Sequence, residues 1–160
     1  MTKSISNYWV EICNNVFSAK SPKDLLLARI AAFIHLDDDS VNSRGSAIQF
    51  FSSTMQNSEQ FLEELENKQA FTKRISYYDE PNIINESTND NNLYVDYEIR
   101  FHMKDHTVCL LKERSYFKKK ADQYLFTHKE PLSAHLNNSA SHWTKESEET
   151  SPNPPLESKL

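Results

Sequence analysis

The chain has 160 residues, a net charge of −5 and a single glycine, Gly45. This length predicts one domain with its own core, and the negative balance excludes the general basic excess that binds nucleic acid. Without further glycines, neither common type of Gly-rich phosphate loop can form, which excludes the nucleotide-binding classes that depend on one.

The cysteines and the N-terminal segment indicate a protein made inside a cell. Cys13 and Cys109 can supply neither a disulfide framework nor a zinc site, and we expect both to be buried thiols. Residues 1–6 are polar and lead into no long apolar run, so no signal peptide or membrane-spanning helix is predicted. We therefore expect a soluble, cytoplasmic protein with no membrane partner.

Helical patterns occupy the first half of the chain. Apolar residues at three- and four-residue spacing predict a helix over 5–17 with one aromatic face. A second helix follows, and shorter helices are predicted over 46–55 and 58–66.

The second helix has the clearest start. Ser21 is placed to cap it, Pro22 suits its first position and Asp24 completes a capping box. The helix continues as an almost wholly apolar surface to about Ile34, with one cation, Arg29, in the middle. We expect it to be buried.

Alternating patterns replace helical ones in the second half. Short strands are predicted over 75–78 and 82–86, then two long strands that meet in a hairpin, then a strand over 122–128. Helices followed by antiparallel strands predict an α+β fold for a single domain over 1–130. Residues 131–160 are rich in Ser, Asn, Glu and Pro and are predicted to be a disordered polar tail.

Charge pairing selects the register of the long hairpin. A two-residue turn would place Asp96 opposite Glu113, and like charges directly opposed are destabilising. A three-residue turn, 104–106, instead places Asp96 opposite Arg114 and Glu98 opposite Lys112. The third turn residue, His106, would then adopt a left-handed conformation.

This register turns Glu113 and Ser115 inward, with Glu113 opposite Tyr97. A buried carboxylate needs a partner, because without one it is destabilising or stays protonated. Arg29 on the apolar helix is the natural candidate. We predict that Arg29 and Glu113 meet inside the domain, with Tyr97 or Ser115 nearby.

The same residues carry a family resemblance. The run DLLLARIAAFI over 24–34 resembles a helix of YchJ-like proteins, whose pattern is of the type LMRSRYSAFV. Glu113, Ser115 and Phe117 match the E-x-S-x-F of their strand pair, and Tyr124 and Phe126 stand where its W-x-Y pair would be. The chain is thus similar to the middle domain of these proteins.

The resemblance implies the cone-shaped fold of the nuclear transport factor two-like and SnoaL-like superfamily, in which helices pack on a curved antiparallel sheet and leave a pocket. Two departures stand out. The chain lacks the Cys-rich metal-binding ends of the family, and His128-Lys129 replaces the D-G that often closes its last strand. Such a fold hosts enzymes and binding modules alike, so it does not settle function.

Two functions compete for the polar cluster of Arg29, Tyr97, Glu113, Ser115 and Tyr124. In an isomerase, dehydratase or hydrolase, Glu113 would act as general acid or base with Tyr97 in an open pocket. In a binding module without catalysis, the cluster would be a structural ion pair sealed by the side chains of Trp9, Phe33 and Tyr124. We favour the binding module, which would take a small molecule or a protein partner or form a homodimer through the outer sheet face.

No cofactor or metal is expected. His102 and His106 flank the hairpin turn without a third ligand, and His35 beside the acidic run 37–39 predicts no ordered oxygen cage.

The C-terminal segment contains two address-like features. Ser158, Lys159 and Leu160 match the peroxisomal import tripeptide, which would matter only in a eukaryote. The acidic residues Glu146, Glu148 and Glu149 are typical of the secretion signals of some bacterial effectors, and a solvated charge run is the alternative.

Overall fold

A computed structural model describes residues 3–36, 41–132 and 143–146. The helices are α1 (Ile5–Cys13), α2 (Pro22–Ile34), α3 (Val41–Thr54), α4 (Glu59–Glu63) and α5 (Leu65–Thr72), and the strands are β1 (Ile75–Tyr78), β2 (Asn82–Asn89), β3 (Asn92–Met103), β4 (Val108–Lys120), β5 (Gln123–Pro131) and β6 (Trp143–Glu146). The helices pack on an antiparallel sheet, which confirms the α+β class.

The first two helices begin where the sequence indicates. Ser21 Oγ accepts a hydrogen bond from the Asp24 N–H at 3.1 Å and so caps α2. Asp24 accepts from the Lys20 N–H at 3.0 Å rather than from the cap residue itself. α1 ends at Cys13, short of the predicted 17, and Asn15 beyond it has a left-handed φ of 58°.

The short helices differ from the prediction. The expected single helix over 58–66 is instead two helices that meet at Glu64, and Ser58 makes no capping hydrogen bond. Phe61 is buried, whereas Leu62, expected to point inward, is 41% exposed. The spacing of apolar residues in so short a segment does not determine where one helix ends and the next begins.

The long hairpin of β3 and β4 forms the centre of the sheet. On the β3 side, β2 pairs with its first part and β1 with its last part. On the β4 side, β6 pairs with residues 108–111 and β5 with residues 113–120. Each central strand thus has two shorter neighbours end to end, all antiparallel.

Strand β6 lies inside the segment that we predicted to be a disordered tail. It pairs Val108 with Glu146 and Leu111 with Trp143 at the edge of β4. This strand was not predicted from the sequence. Residues 133–142 and 147–160 lie outside the described residues. The second range includes Glu148, Glu149 and the tripeptide Ser158, Lys159 and Leu160.

The core lies between α2 and the inner face of β3 and β4. Phe33 of α2, Phe71 of α5 and Phe101 of β3 form a cluster with ring centroids 5.8 to 6.1 Å apart. Cys109 is buried as predicted, but Cys13 is exposed because it is the last residue of α1. No helix in the described part of the chain is long and apolar enough to cross a membrane.

Candidate functional site

The β3–β4 hairpin has the predicted register. Asp96 lies opposite Arg114, Glu98 opposite Lys112 and Tyr97 opposite Glu113. The Arg114 guanidinium donates to both carboxylate oxygens of Asp96, at 2.6 and 2.9 Å. His106 has a φ of 69°, the left-handed conformation expected for the third residue of the turn. Charge pairing was therefore a valid guide to which side chains face inward.

Glu113, Ser115 and Tyr97 form a buried hydrogen-bonded group on the inner sheet face. Glu113 is 1% exposed, and the Tyr97 hydroxyl donates to Glu113 Oε1 at 2.7 Å. Burial, with the nearby Glu113 carboxylate, raises the pKa of Tyr97, while a hydrogen bond from Ser115 lowers it.

Arg29 lies against this group, as the sequence predicts. Its guanidinium carbon is 3.6 Å from the ring centroid of Phe126 and 5.2 Å from that of Phe51. Burial lowers the Arg29 pKa to about 10, and the nearby Tyr97 and Glu113 oppose that shift. Its Nη1 finds no hydrogen-bond partner among the described residues.

Glu113 forms an ion pair with Lys129, whose Nζ lies 3.4 Å from Glu113 Oε2. Lys129 was not predicted from the sequence as a partner of Glu113. Burial lowers the Lys129 pKa to about 8, and Glu113 partly opposes this change. We expected Arg29 to supply the cation. In the structure, Arg29 lies close enough for its charge to act on Glu113, and Lys129 forms the ion pair.

A β-bulge explains why the inward direction of Lys129 was not predicted from the sequence. Phe126 faces Phe117 and His128 faces Tyr116, so one extra residue, Thr127, interrupts the alternation between them. Strict alternation from the buried Phe126 would turn Lys129 outward, whereas the bulge turns it inward opposite Ser115. The available signal was the alternation of Tyr124 and Phe126, which are two residues apart, and it does not indicate a bulge at Thr127.

The buried group adjoins little open space. A cavity of about 10 Å³ lies beside it, lined by Leu26, Arg29, Ile30, Phe51, Tyr97 and Ser115. That volume accommodates about one water molecule. The side chains that enclose it come from α2 and α3, rather than from Trp9 or Tyr124 as expected.

Tyr124 lines a different and larger cavity, which we call the cleft. The cleft has a volume of about 390 Å³ and lies between the end of α1, the α1–α2 loop, α3 and the β4–β5 turn. It is lined by Ile12, Cys13, Asn15, Phe17, Ser18, Ala19, Leu25, Ser46, Gln49, Phe50, Ser53, Thr54, Asp122, Gln123 and Tyr124. Of the predicted cluster, the structure therefore brings Arg29, Tyr97, Glu113 and Ser115 together and places Tyr124 elsewhere.

In the described part of the chain, no three His, Cys, Asp or Glu side chains lie close enough together to bind a metal ion. His102 instead stacks on Tyr77, with ring centroids 4.2 Å apart, and its Nε2 lies 3.0 Å from Asp79 Oδ1.

A solved structure has a similar fold. It is the solution structure of RPA3114, a SEC-C motif containing protein from Rhodopseudomonas palustris, with a TM-score of 0.61 and 20% sequence identity. The similarity covers 81% of this chain and 93% of that one. No protein-family model matches the chain, and no curated protein matches it in sequence. At this level of identity, the similarity establishes a common fold.

Proposed function

We propose that this domain is a binding module without catalysis and that its ligand site is the cleft. The observation that carries the proposal is the contrast between two cavities. The cleft measures about 390 Å³, within the range of about 300 to 1,000 Å³ that is typical of small-molecule sites, whereas the cavity lined by Arg29, Tyr97 and Ser115 measures about 10 Å³.

The buried group has a structural role in this proposal. Arg29 comes from α2, Tyr97 from β3, Glu113 and Ser115 from β4 and Lys129 from β5. Their hydrogen bonds and charges hold the buried helix on the sheet. Perturbed pKa values arise in such structural networks as well as in active sites.

The competing function is an isomerase, dehydratase or hydrolase that uses Glu113 and Tyr97. Such an enzyme needs a substrate-sized opening that reaches the Glu113 carboxylate. The 1% exposure of Glu113 and the small cavity beside it favour the structural role.

The family assignment belongs to the same proposal. We infer that the domain is YchJ-like and has the cone-shaped architecture of the SnoaL-like superfamily. In support, the matched Glu113, Ser115 and Phe117 all face the core from β4. The neighbour of similar fold carries a SEC-C motif, which is compatible with this assignment.

The test is an NMR titration of the ¹⁵N-labelled protein with a library of small fragments. Fragments should shift the amide signals of cleft residues, and Gln49→Ala should weaken their binding. Gln56→Ala is the matched control, because both glutamines are exposed and only Gln49 lines the cleft. Glu113→Gln should leave fragment affinity unchanged. Shifts that centre on Glu113 and vanish in Glu113→Gln would contradict the proposal.

A further inference from the structure

The described residues that line the cleft carry a net negative charge. Among the described residues, Asp122 is the one charged side chain that lines it. A phosphate or carboxylate ligand beside Asp122 would face a side chain of the same charge. A cationic ligand would be attracted.

The hydroxyl groups of α3 in the cleft act as acceptors. Ser53 Oγ and Thr54 Oγ1 both donate to the Phe50 carbonyl oxygen, at 3.1 and 2.7 Å. Their protons are thus engaged, and their lone pairs remain to accept from a ligand. These two hydroxyl groups therefore favour a ligand that donates hydrogen bonds to them.

Aromatic rings complete the lining. Phe17, Phe50 and Tyr124 contribute to it beside the aliphatic Ile12 and Leu25. The chain's own ammonium groups already lie near two of these rings, with Lys3 Nζ 5.8 Å from the Phe17 centroid and Lys119 Nζ 5.5 Å from the Tyr124 centroid. Such rings attract cations and also bury an apolar body.

We propose that the ligand of the cleft is a protonated organic amine with an apolar body. Its ammonium group would lie near Asp122 and donate to Ser53 and Thr54, and its apolar part would lie against Phe50 and Tyr124. This inference rests on the proposed binding function.

The test compares three probes of similar shape by NMR titration: 2-phenylethylamine, 2-phenylethanol and 3-phenylpropionate. The amine should bind more tightly than the alcohol, and the carboxylate most weakly. Asp122→Asn should weaken amine binding about threefold, as expected for an exposed ion pair, and leave the alcohol unaffected. Asp90→Asn, at an exposed residue of the β2–β3 turn, is the matched control.

The outcomes separate this inference from the function on which it rests. Equal binding of amine and alcohol, or tighter binding of the carboxylate, overturns the amine inference and leaves a binding cleft. If none of the three probes binds while other fragments bind the cleft, the amine inference is likewise overturned and the binding function stands. Failure of every fragment at the cleft overturns the proposed function as well.

An independent observation concerns the small cavity beside Arg29. Arg29 Nη1 is buried without a partner among the described residues, and Ser115, whose hydroxyl oxygen can accept a hydrogen bond, lines the same cavity. A buried donor and a buried acceptor around a space of about 10 Å³ meet the requirements of an internal water. We infer that one ordered water accepts a hydrogen bond from Arg29 Nη1 and forms a second hydrogen bond with Ser115 Oγ.

Two measurements test the water site. A high-resolution crystal structure of the full chain grown with sodium bromide should show water density beside Arg29 and no anomalous bromide peak there. Relaxation dispersion of ¹⁷O-water should count one fewer long-lived water in Arg29→Met and an unchanged number in Arg74→Met, whose side chain is 39% exposed. A bromide peak, an empty cavity or equal counts would contradict the inference.

Discussion

Glu113 is a carboxylate that lies among several cations in the core. Lys129 is 3.4 Å away, Arg29 lies close enough to act on it, and the buried Lys68 lies near Lys129 while it pairs with Glu64 at 3.3 Å. Removing the negative charge leaves the cations without compensation, which is the costly way to break a buried ion pair.

Glu113→Gln should therefore destabilise the protein. We expect a loss of about 2 kcal/mol, below the range of about 3 to 5 kcal/mol for fully buried pairs, because the Lys129 side chain is 23% exposed. Urea unfolding measures it. Glu98→Gln is the control, since Glu98 pairs with the exposed Lys112 at 3.8 Å and should lose less than about 1 kcal/mol. Equal losses for the two variants would argue against a structural role of Glu113.

Lys129 should make stability depend on alkaline pH. Burial lowers its pKa from 10.5 to about 8, so between these values the unfolded chain binds more protons than the folded one. The contribution of Lys129 to stability therefore rises with pH through this window.

The measurement is urea unfolding of wild type and Lys129→Met at several pH values from 8 to 10. The wild type should gain stability relative to the variant as pH rises. The stability of Lys112→Met should change with pH in the same way as that of the wild type, because the Lys112 side chain is 44% exposed in the wild type. Parallel curves for Lys129→Met would show that its amine is not buried.

At the scale of elements, two hairpin turns contain left-handed residues that are not glycine. His106 in the β3–β4 turn has a φ of 69°, and Ala121 in the β4–β5 turn has a φ of 54°. The first was predictable, because charge pairing determined the length of the loop. The second was not, because no charge pair specified the register of β4 and β5.

Ala121→Gly should stabilise the protein by up to about 1 kcal/mol, because glycine adopts a positive φ without the steric penalty of a Cβ. Thermal unfolding measures the gain. Ala70→Gly provides the opposite case, since Ala70 is exposed within α5 and glycine there should lose about 1 kcal/mol. Destabilisation by both substitutions would mean that the turn is not left-handed at Ala121.

The bulge at Thr127 is the element that sequence patterns did not reveal. It reverses the alternation of β5, so that His128 stacks on Tyr116 on the outer face, with ring centroids 4.4 Å apart, and Lys129 turns inward. A bulge is a feature of the pairing between two strands, so the alternation of apolar and polar residues in one strand does not predict it.

At the scale of the whole molecule, β6 covers part of the edge of β4. Its backbone pairs with residues 108–111, so the chain beyond β5 contributes to the sheet. An uncovered edge would leave backbone groups without partners and open to pairing with other chains.

A chain that ends at Leu132 should therefore be less stable than one that ends at Glu146. We expect a difference of about 2 kcal/mol, for a few backbone hydrogen bonds of about 1 kcal/mol each. Thermal unfolding of both against the full chain measures it, and the chain that ends at Glu146 should match the full chain. Equal stability of the two shortened chains would place the end of the folded domain before β6, near the predicted residue 130.

The sequence by itself determined the α+β class, the start of α2, the register of the central hairpin and the inward direction of Glu113 and Ser115. These follow from local periodicity, capping chemistry and charge pairing across one turn, all of which act between residues close in the chain. Only the tertiary structure decided that Lys129 pairs with Glu113, that Tyr124 lines a separate cleft and that 143–146 adds a strand. Each of these depends on how distant segments meet, and the free energy of such contacts leaves no periodic pattern in the sequence.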